Sequence, residues 1–200
     1  IPYGWIRRST QSVTSYDRAK KEVPALRWAD LAGAGYGVSL LNASKYGYDI
    51  KGNVMRLSLL RSPKWPDPTA DRGKHEIHYA LYPHTGSWQD ANTVQRGIEY
   101  NSPLLVTTTT RHAGSLPLSS SFGSLTPANL ILTTIKKSEA GETWTYQFYE
   151  AEGTDARAEL ELPAVPRKVV RSNFLEEEGT AVPFQGKRVS LDVKRNSVVT

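Results

Sequence analysis

Two hundred residues with 38% hydrophobic and 22% charged side chains hold enough apolar material for one large or two smaller packed domains, which excludes a disordered chain. The net charge of +5, from 25 basic against 20 acidic residues, is scattered; short pairs such as Lys20-Lys21, Lys136-Lys137 and Arg167-Lys168 make no phosphate track, so no nucleic-acid partner is expected. No apolar run approaches the roughly twenty residues that span a bilayer, so no membrane partner is expected, and a chain without cysteine has no disulfides or thiolate zinc sites and fits a cytoplasmic, reducing compartment.

Taken in order, Tyr3 to Arg8 is expected as a short aromatic-rich strand, followed by a polar loop through Thr10, Gln11 and Ser15 that lacks a helical period. Val23 to Leu31 reads as a second strand, running into Gly33 and Gly35 where the backbone can turn. Tyr36 to Asn42 suits a strand covered on both faces. Asn42-Ala43-Ser44 matches a glycosylation sequon, which without a secretory signal reads as coincidence. Tyr46 and Tyr48 share one strand face, open either to a ligand or to the neighbouring strand.

Gly52-Asn53 is a tight-turn signal. Asn53 to Arg61 and Lys74 to Tyr82 then alternate as half-buried strands, and the loop between them, Ser62 to Gly73, carries Pro63, Pro66 and Pro68. Proline removes backbone donors, so this connection cannot pair as an interior strand and is expected to project as a stiff loop. It presents Trp65, Asp67, Asp71 and Arg72, an aromatic plate with two carboxylates and a guanidinium that suits a polyol such as a sugar ring. Equally, Trp65 could cover the sheet edge, and Asp71 with Arg72 could be an ordinary solvated pair.

Ser87 and Asp90 have the spacing of a capping box, and Trp88, Ala91, Val94 and Ile98 fall near one stripe, so an amphipathic helix is expected over Ser87 to Tyr100. Leu104 to Thr109 should return to strand, and residues 111–127, rich in Ser, Gly and Pro, form a linker or crossing loop. Beyond it, Asn129 to Lys137, Thr143 to Glu150, Ala156 to Leu162, Val169 to Phe174 and Lys187 to Val193 recur at the spacing of a small β-sandwich, with turns at 139–142 and 177–186 among those between them. The expectation is an all-β chain: a large β-sandwich over 1–110 with one short helix near 87–100, the linker, and a smaller sandwich over 128–200 that looks truncated. Both ends look cut, as in a piece of a longer polypeptide.

Chemistry-bearing groups are sparse. Asp67, Asp71, His75 and His78 are the best local metal group, but on a strand His75 and His78 would face opposite sides, so no complete metal site and no cofactor is expected within this chain. The carboxyl pairs on offer, Asp67 with Asp71 or the run Glu176 to Glu178, are unpersuasive as glycosidase acids, and the glutamates read as a solvated charge run. Nothing orients His112 towards Ser121 as a nucleophile pair requires. No catalytic residue is assigned.

The residues that carry a family signature are Arg27-Trp28-Ala29-Asp30-Leu31, Tyr36-Gly37-Val38, Leu41-Asn42, Lys45-Tyr46-Gly47-Tyr48, Gly52-Asn53, Ser58-Leu59-Leu60-Arg61, Pro66-Asp67, Ala70-Asp71, Gly73, His75-Glu76 and Tyr79-Ala80-Leu81. Over Ile1 to about Leu105 the chain resembles the C-terminal region of glycoside hydrolase family 38 α-mannosidases, in their cytosolic and microbial branch. The resemblance implies a galactose-mutarotase-like supersandwich from a retaining enzyme that removes α-linked mannose. It implies that the divalent metal, usually zinc, and the aspartate nucleophile sit in an N-terminal catalytic barrel with no matching positions here. The chain would then be a non-catalytic portion, inactive by itself, with that barrel and mannosides as partners and room for a homo-oligomeric parent; the alternative is a free-standing carbohydrate-binding module. In the family such a region lends an arginine in a D-x-R-G-like loop to the rim of the sugar pocket, and Asp71-Arg72-Gly73 looks similar. The expected substrate-binding residues are Arg72, Asp71, His75, Asp67, Trp65 and Tyr46.

Overall fold

The structure, a computed structural model, describes residues 1–139 and 141–200, so Ala140 in the expected 139–142 turn lies outside the described residues. The chain sorts into two compact units: Ile1 with Ile6–Val106, and Pro2–Trp5 with Thr107–Thr200. No described helix is long and apolar enough to cross a membrane.

The first unit contains helix α1 (Ser15–Ala19), strands β1 (Val23–Pro24), β2 (Trp28–Ala32), β3 (Tyr36–Asn42), β4 (Gly47–Lys51), β5 (Val54–Leu57) and β6 (Tyr79–Thr85), and helix α2 (Thr93–Asn101). Two three-stranded sheets result, ordered β1-β4-β5 and β2-β3-β6. The expected strand Val23 to Leu31 is therefore two strands in different sheets; Pro24 has no donor to extend the β1 ladder, and the chain crosses at Ala25 to Arg27. Leu40 and Ala29 from one sheet meet Tyr48, Val23, Met55 and Leu57 from the other, closing the core with Ala25.

Tyr48 is fully buried and belongs to that core. Its hydroxyl donates to the Leu40 carbonyl at 3.1 Å and accepts from Asn42 Nδ2 at 2.6 Å, and burial pushes its pKa above the usual tyrosine value. Asn42 also donates to the Leu26 carbonyl at 2.8 Å and accepts from the Lys45 amide at 2.9 Å. With no exposed surface and every polar atom engaged, the sequon asparagine is a structural joint.

The other face of the β2-β3-β6 sheet is covered by α2, which is why β3 is buried on both sides. Gly97 lets the helix come close, since a Cβ there would lie 3.1 Å from Trp28 Cδ1. Under the helix lies a polar cluster that sequence periodicity does not show. Asp30 Oδ1 accepts from His84 Nε2 at 2.8 Å and from Ser39 Oγ at 2.7 Å, and Ser39 Oγ accepts in turn from Thr93 Oγ1 at 3.0 Å. The contact to the carboxylate makes Nε2 the donor, while the buried Nδ1 has no hydrogen-bond partner among the described residues. His84 reaches Asp30 by lying over Gly37, its register partner on β3; a Cβ at Gly37 would sit 2.5 Å from His84 Cε1.

Several expected elements differ. Tyr3 to Arg8 forms no strand; Tyr3, at φ 55°, turns its ring edge onto Tyr149 in the second unit, 5.8 Å between centroids. The loop near Ser15 holds α1, a second helix started by the Thr14–Asp17 capping box. The bonds of the Ser87–Asp90 box form, at 2.8 Å from the Ser87 amide, yet Asn92 takes the left-handed region (φ 51°), so the helix starts only at Thr93 and buries Thr93 and Gly97. The strand after the long loop begins at Tyr79 rather than Lys74, and the one before it ends at Leu57 rather than Arg61. Leu104 to Thr109 pairs with no strand among the described residues and leaves Leu104, Leu105 and Val106 bare.

The second unit contains β7 (Ser124–Thr126), β8 (Leu130–Lys137), β9 (Trp144–Glu150), β10 (Ala156–Glu161), β11 (Val170–Ser172), β12 (Glu178–Ala181), β13 (Phe184–Gln185), β14 (Arg188–Val193) and β15 (Val198–Val199). The segment 177–186, expected as a turn, thus carries two short strands. Sheets β13-β14-β10-β7 and β15-β9-β8 enclose Leu130, Phe148, Ala158, Val193 and Val199, while β11 pairs with β12. Glu176 is not part of a solvated run: it accepts from the Glu139 amide at 2.9 Å and pairs with Lys136 at 3.0 Å, contacts that hold its carboxyl below the usual range. Glu150, fully buried, accepts from Asn129 Nδ2 and from the amides of Glu152, Gly153 and Asn196, all within 2.8–2.9 Å. Burial is the largest single influence and opposes ionisation, but the four donors together outweigh it and the carboxyl lies below its usual value.

Two outcomes test these joints. Gly37→Ala should lower the stability of the first unit by about 2 kcal/mol through overpacking, read as an earlier loss of the Trp28–Trp88 near-ultraviolet signal, the two rings being 5.2 Å apart. Glu150 holds its proton less tightly folded than unfolded, so its contribution is complete above the usual glutamate range and is lost as pH falls through its lower folded value. Denaturation of the second unit at pH 7 and pH 3 should show a smaller pH dependence for Glu150→Gln than for the parent.

Candidate functional site

The end of the first sandwich where β5 hands over to β6 collects the expected site residues. The Ser58 amide donates to the Gly47 carbonyl at 2.9 Å, and the Ala43 amide donates to the His78 carbonyl at 3.2 Å. The two feet of the 58–78 connection therefore rest at the two ends of the short β3–β4 crossing, on Ala43 and on Gly47 at the start of β4, with Tyr46 between them. Tyr46 lies just before the strand that holds Tyr48, and its ring is half exposed where that of Tyr48 is buried.

Within the connection the chain closes on itself. The Ser62 amide donates to Asp71 Oδ2 at 2.8 Å, a clasp across nine residues. Asp67 Oδ1 accepts from the Thr69 amide at 2.8 Å and hydroxyl at 2.7 Å, bonds that hold its carboxyl below the usual pKa range, the hydroxyl contributing most. The amides of Ala70 and Arg72 donate to the carbonyls of Asp67 and Thr69, giving consecutive turns. His75 Nε2 meets the Asp71 backbone carbonyl at 2.8 Å. Ser62 and Asp71 both hold left-handed backbone, φ 44° and 59°, a conformation that costs non-glycine residues on the order of 1 kcal/mol each and persists where surrounding contacts dictate it. The loop is thus held by its own polar groups, and its outward surface is what it offers: Trp65 at 85% exposure, with Lys64 exposed next to it in sequence and Arg72 exposed further along the loop.

The open alternatives resolve unequally. Trp65 does not cover a sheet edge. Asp71 is not in an ion pair with Arg72; it clasps Ser62. His75 and His78 lie before β6 rather than on it, and His78 faces Glu76 at 3.3 Å. Among the described residues no three His, Asp or Glu side chains come together as metal ligands, so Asp67, Asp71, His75 and His78 do not fit a metal ion. Ser121 donates to the Gly123 carbonyl and His112 meets the Thr110 carbonyl, two separate local turns. The residues missed were Asp30, Ser39, His84 and Thr93, which position β6 and hence one foot of the loop; the only signal was polar side chains inside otherwise apolar strands.

Comparison with known proteins bears on this geometry. Residues 1–69 match the family model of the Glycosyl hydrolases family 38 C-terminal domain, and residues 129–200 that of the Glycosyl hydrolases family 38 C-terminal beta sandwich domain. Alpha-mannosidase 2C1 of Homo sapiens is 39% identical over 184 residues, which is 90% of this chain and 18% of that protein. Alpha-mannosidase of Saccharomyces cerevisiae is 50% identical over 99 residues, 50% of this chain and 9% of that protein. The crystal structure of an alpha-mannosidase from Enterococcus faecalis V583 has the same fold, with a TM-score of 0.79 at 18% identity over 98% of this chain and 23% of that one. All-β architecture and two ordered matches define a C-terminal region of a glycosyl hydrolase. The chain belongs to glycosyl hydrolase family 38. It spans about a fifth of the length of the curated relatives it matches, 18% for the human protein.

Asp71→Ala should open the clasp, speeding exchange of the Ser62 amide hydrogen by about tenfold while the exposed position changes global stability by less than about 1 kcal/mol. Asp71→Asn keeps an acceptor oxygen and should leave that exchange near the parent rate. Unchanged exchange in Asp71→Ala would contradict the clasp.

Proposed function

We propose that this chain is the non-catalytic C-terminal portion of an α-mannosidase that hydrolyses terminal α-linked mannose, packed on a metal-binding catalytic portion and lining the sugar pocket with the 62–75 loop. The observation that carries this reading is the pair of family 38 C-terminal matches in order along the chain, beside relatives named alpha-mannosidase that are five times longer. Two features of the first unit agree with it. Along one face of β3 and β6, Leu40 is buried while Tyr36, Tyr79 and Leu81 on the same face stay exposed, an apolar strip that runs beyond its cover and suits a partner surface. The loop beside it presents Trp65 and Arg72 on a self-held backbone.

In this reading Arg72 and Trp65 meet the sugar, while Asp71, Asp67 and His75 hold the loop that carries them. Zinc or another divalent ion and the nucleophile belong to the catalytic portion. No set of described residues here fits the ion, so no step of the reaction is derived through this chain. A cytoplasmic location is part of the proposal and rests on the absence of cysteine.

With zinc present, the 200-residue chain alone should leave an aryl α-mannoside intact; hydrolysis would refute the non-catalytic role. Replacing the matching region of the yeast relative by this chain should retain hydrolysis. In that chimera Arg72→Ala should raise KM or lower kcat so that kcat/KM falls about tenfold, with the folded signal unchanged; unaltered kinetics would remove the loop from the pocket.

A further inference from the structure

The 61–74 segment holds four cations, Arg61, Lys64, Arg72 and Lys74, against two acids, Asp67 and Asp71. Both acids face N–H or O–H groups of the same loop: Asp67 those of Thr69, Asp71 the Ser62 amide. None of the four cations makes a side-chain hydrogen bond or ion pair among the described residues. The lysine pair on β8 behaves otherwise, with Lys136 on Glu176 at 3.0 Å and Lys137 on Glu142 at 2.7 Å.

The clasp also sets where these charges stand. Because the Ser62 amide and Asp71 Oδ2 are joined at 2.8 Å, Arg61 and Arg72 are the chain neighbours of the two clasped residues. His75 Nε2 meets the Asp71 carbonyl, so the chain around Lys74 is tied back to the same clasp. Each guanidinium brings five donors in a planar fork that matches the oxygens of phosphate or carboxylate. Trp65 stands bare beyond them with Lys64 next to it in sequence, a flat apolar surface of the size of a sugar ring. Unpaired cations gathered on a pre-ordered loop raise the local concentration of anions, and charge-assisted bonds to such a ligand are the strong ones.

We propose that this loop recognises a saccharide carrying an anionic group, a hexose phosphate or a carboxylated sugar, with the anion at Arg61 and Arg72 and the ring on Trp65. The proposal deepens the reading in which the loop faces the sugar and adds the charge class of that sugar. Its test is a titration of the 200-residue chain with mannose 6-phosphate, mannose and inorganic phosphate, followed through the Trp65 indole N–H and the Arg72 Nε–H resonances. Mannose 6-phosphate should move both, with a dissociation constant about tenfold below that of mannose, and Arg72→Gln should abolish that preference while the remaining spectrum stays folded. Equal responses to mannose and mannose 6-phosphate would overturn the anionic requirement. Inorganic phosphate matching mannose 6-phosphate, with Trp65 unmoved, would overturn the saccharide, and no response to any of the three would overturn the site. Each negative result leaves the chimera experiment, and with it the α-mannosidase reading, standing.

Discussion

Asp30 is a carboxylate with almost no contact with water, its side chain 7% exposed, and burying such a charge unpaired would cost several kcal/mol. It is stable because three elements bring donors to it or to its partner: His84 from β6, Ser39 from β3 and Thr93 from α2 through Ser39. That arrangement allows one register. A slip of one residue in β2 would turn Asp30 onto the face where Leu40 and Tyr48 pack and would bring Leu31 under the helix. The polar cluster therefore sets the pairing of β2, β3 and β6, and the absence of a side chain at Gly37 lets the imidazole cross the central strand to complete it.

The candidate site follows from this. His78, one residue before β6, bonds Ala43, one residue after β3, so the register that Asp30 dictates also places one foot of the 58–78 loop. The other foot follows from Gly47 at the start of β4, beside Tyr48, which anchors the apolar side of the same unit. Between those feet the loop needs nothing from the sheets, because Asp67 and Asp71 satisfy its amides locally. A loop that supplies its own order can leave its aromatic ring and its cations outward.

The second unit handles a buried acid differently. Glu150 gathers three backbone amides and one side-chain amide from the turns at Asn129, Glu152–Gly153 and Asn196, tying strand ends together rather than strand faces. Its described exposed apolar residues include Leu116, Leu118 and Phe122 in the segment before β7, where no strand pairs them. Family membership joins the two units as parts of one glycosyl hydrolase C-terminal region, although each has its own core.

Alternation of apolar residues along short segments was enough to read an all-β chain, the β4–β5 hairpin at Gly52-Asn53, the doubly covered β3, the five main strands of the second unit and the proline-stiffened loop, because each depends on neighbours within a few residues. What a residue does once folded was less legible. Asp67 and Asp71 offered the same carboxylates whether they gripped a ligand or their own loop, and only the approach of Ser62 to Asp71 chose the latter. Tyr46 and Tyr48 looked equivalent until the core took one and left the other outside. Val23 to Leu31 read as one strand because its break depends on which sheet each half can join, and Asp30 and His84 are 54 positions apart in the chain. Local pattern records what a segment can form, whereas partners brought from far along the chain decide which polar group is buried, which is bonded and which is left to meet something else.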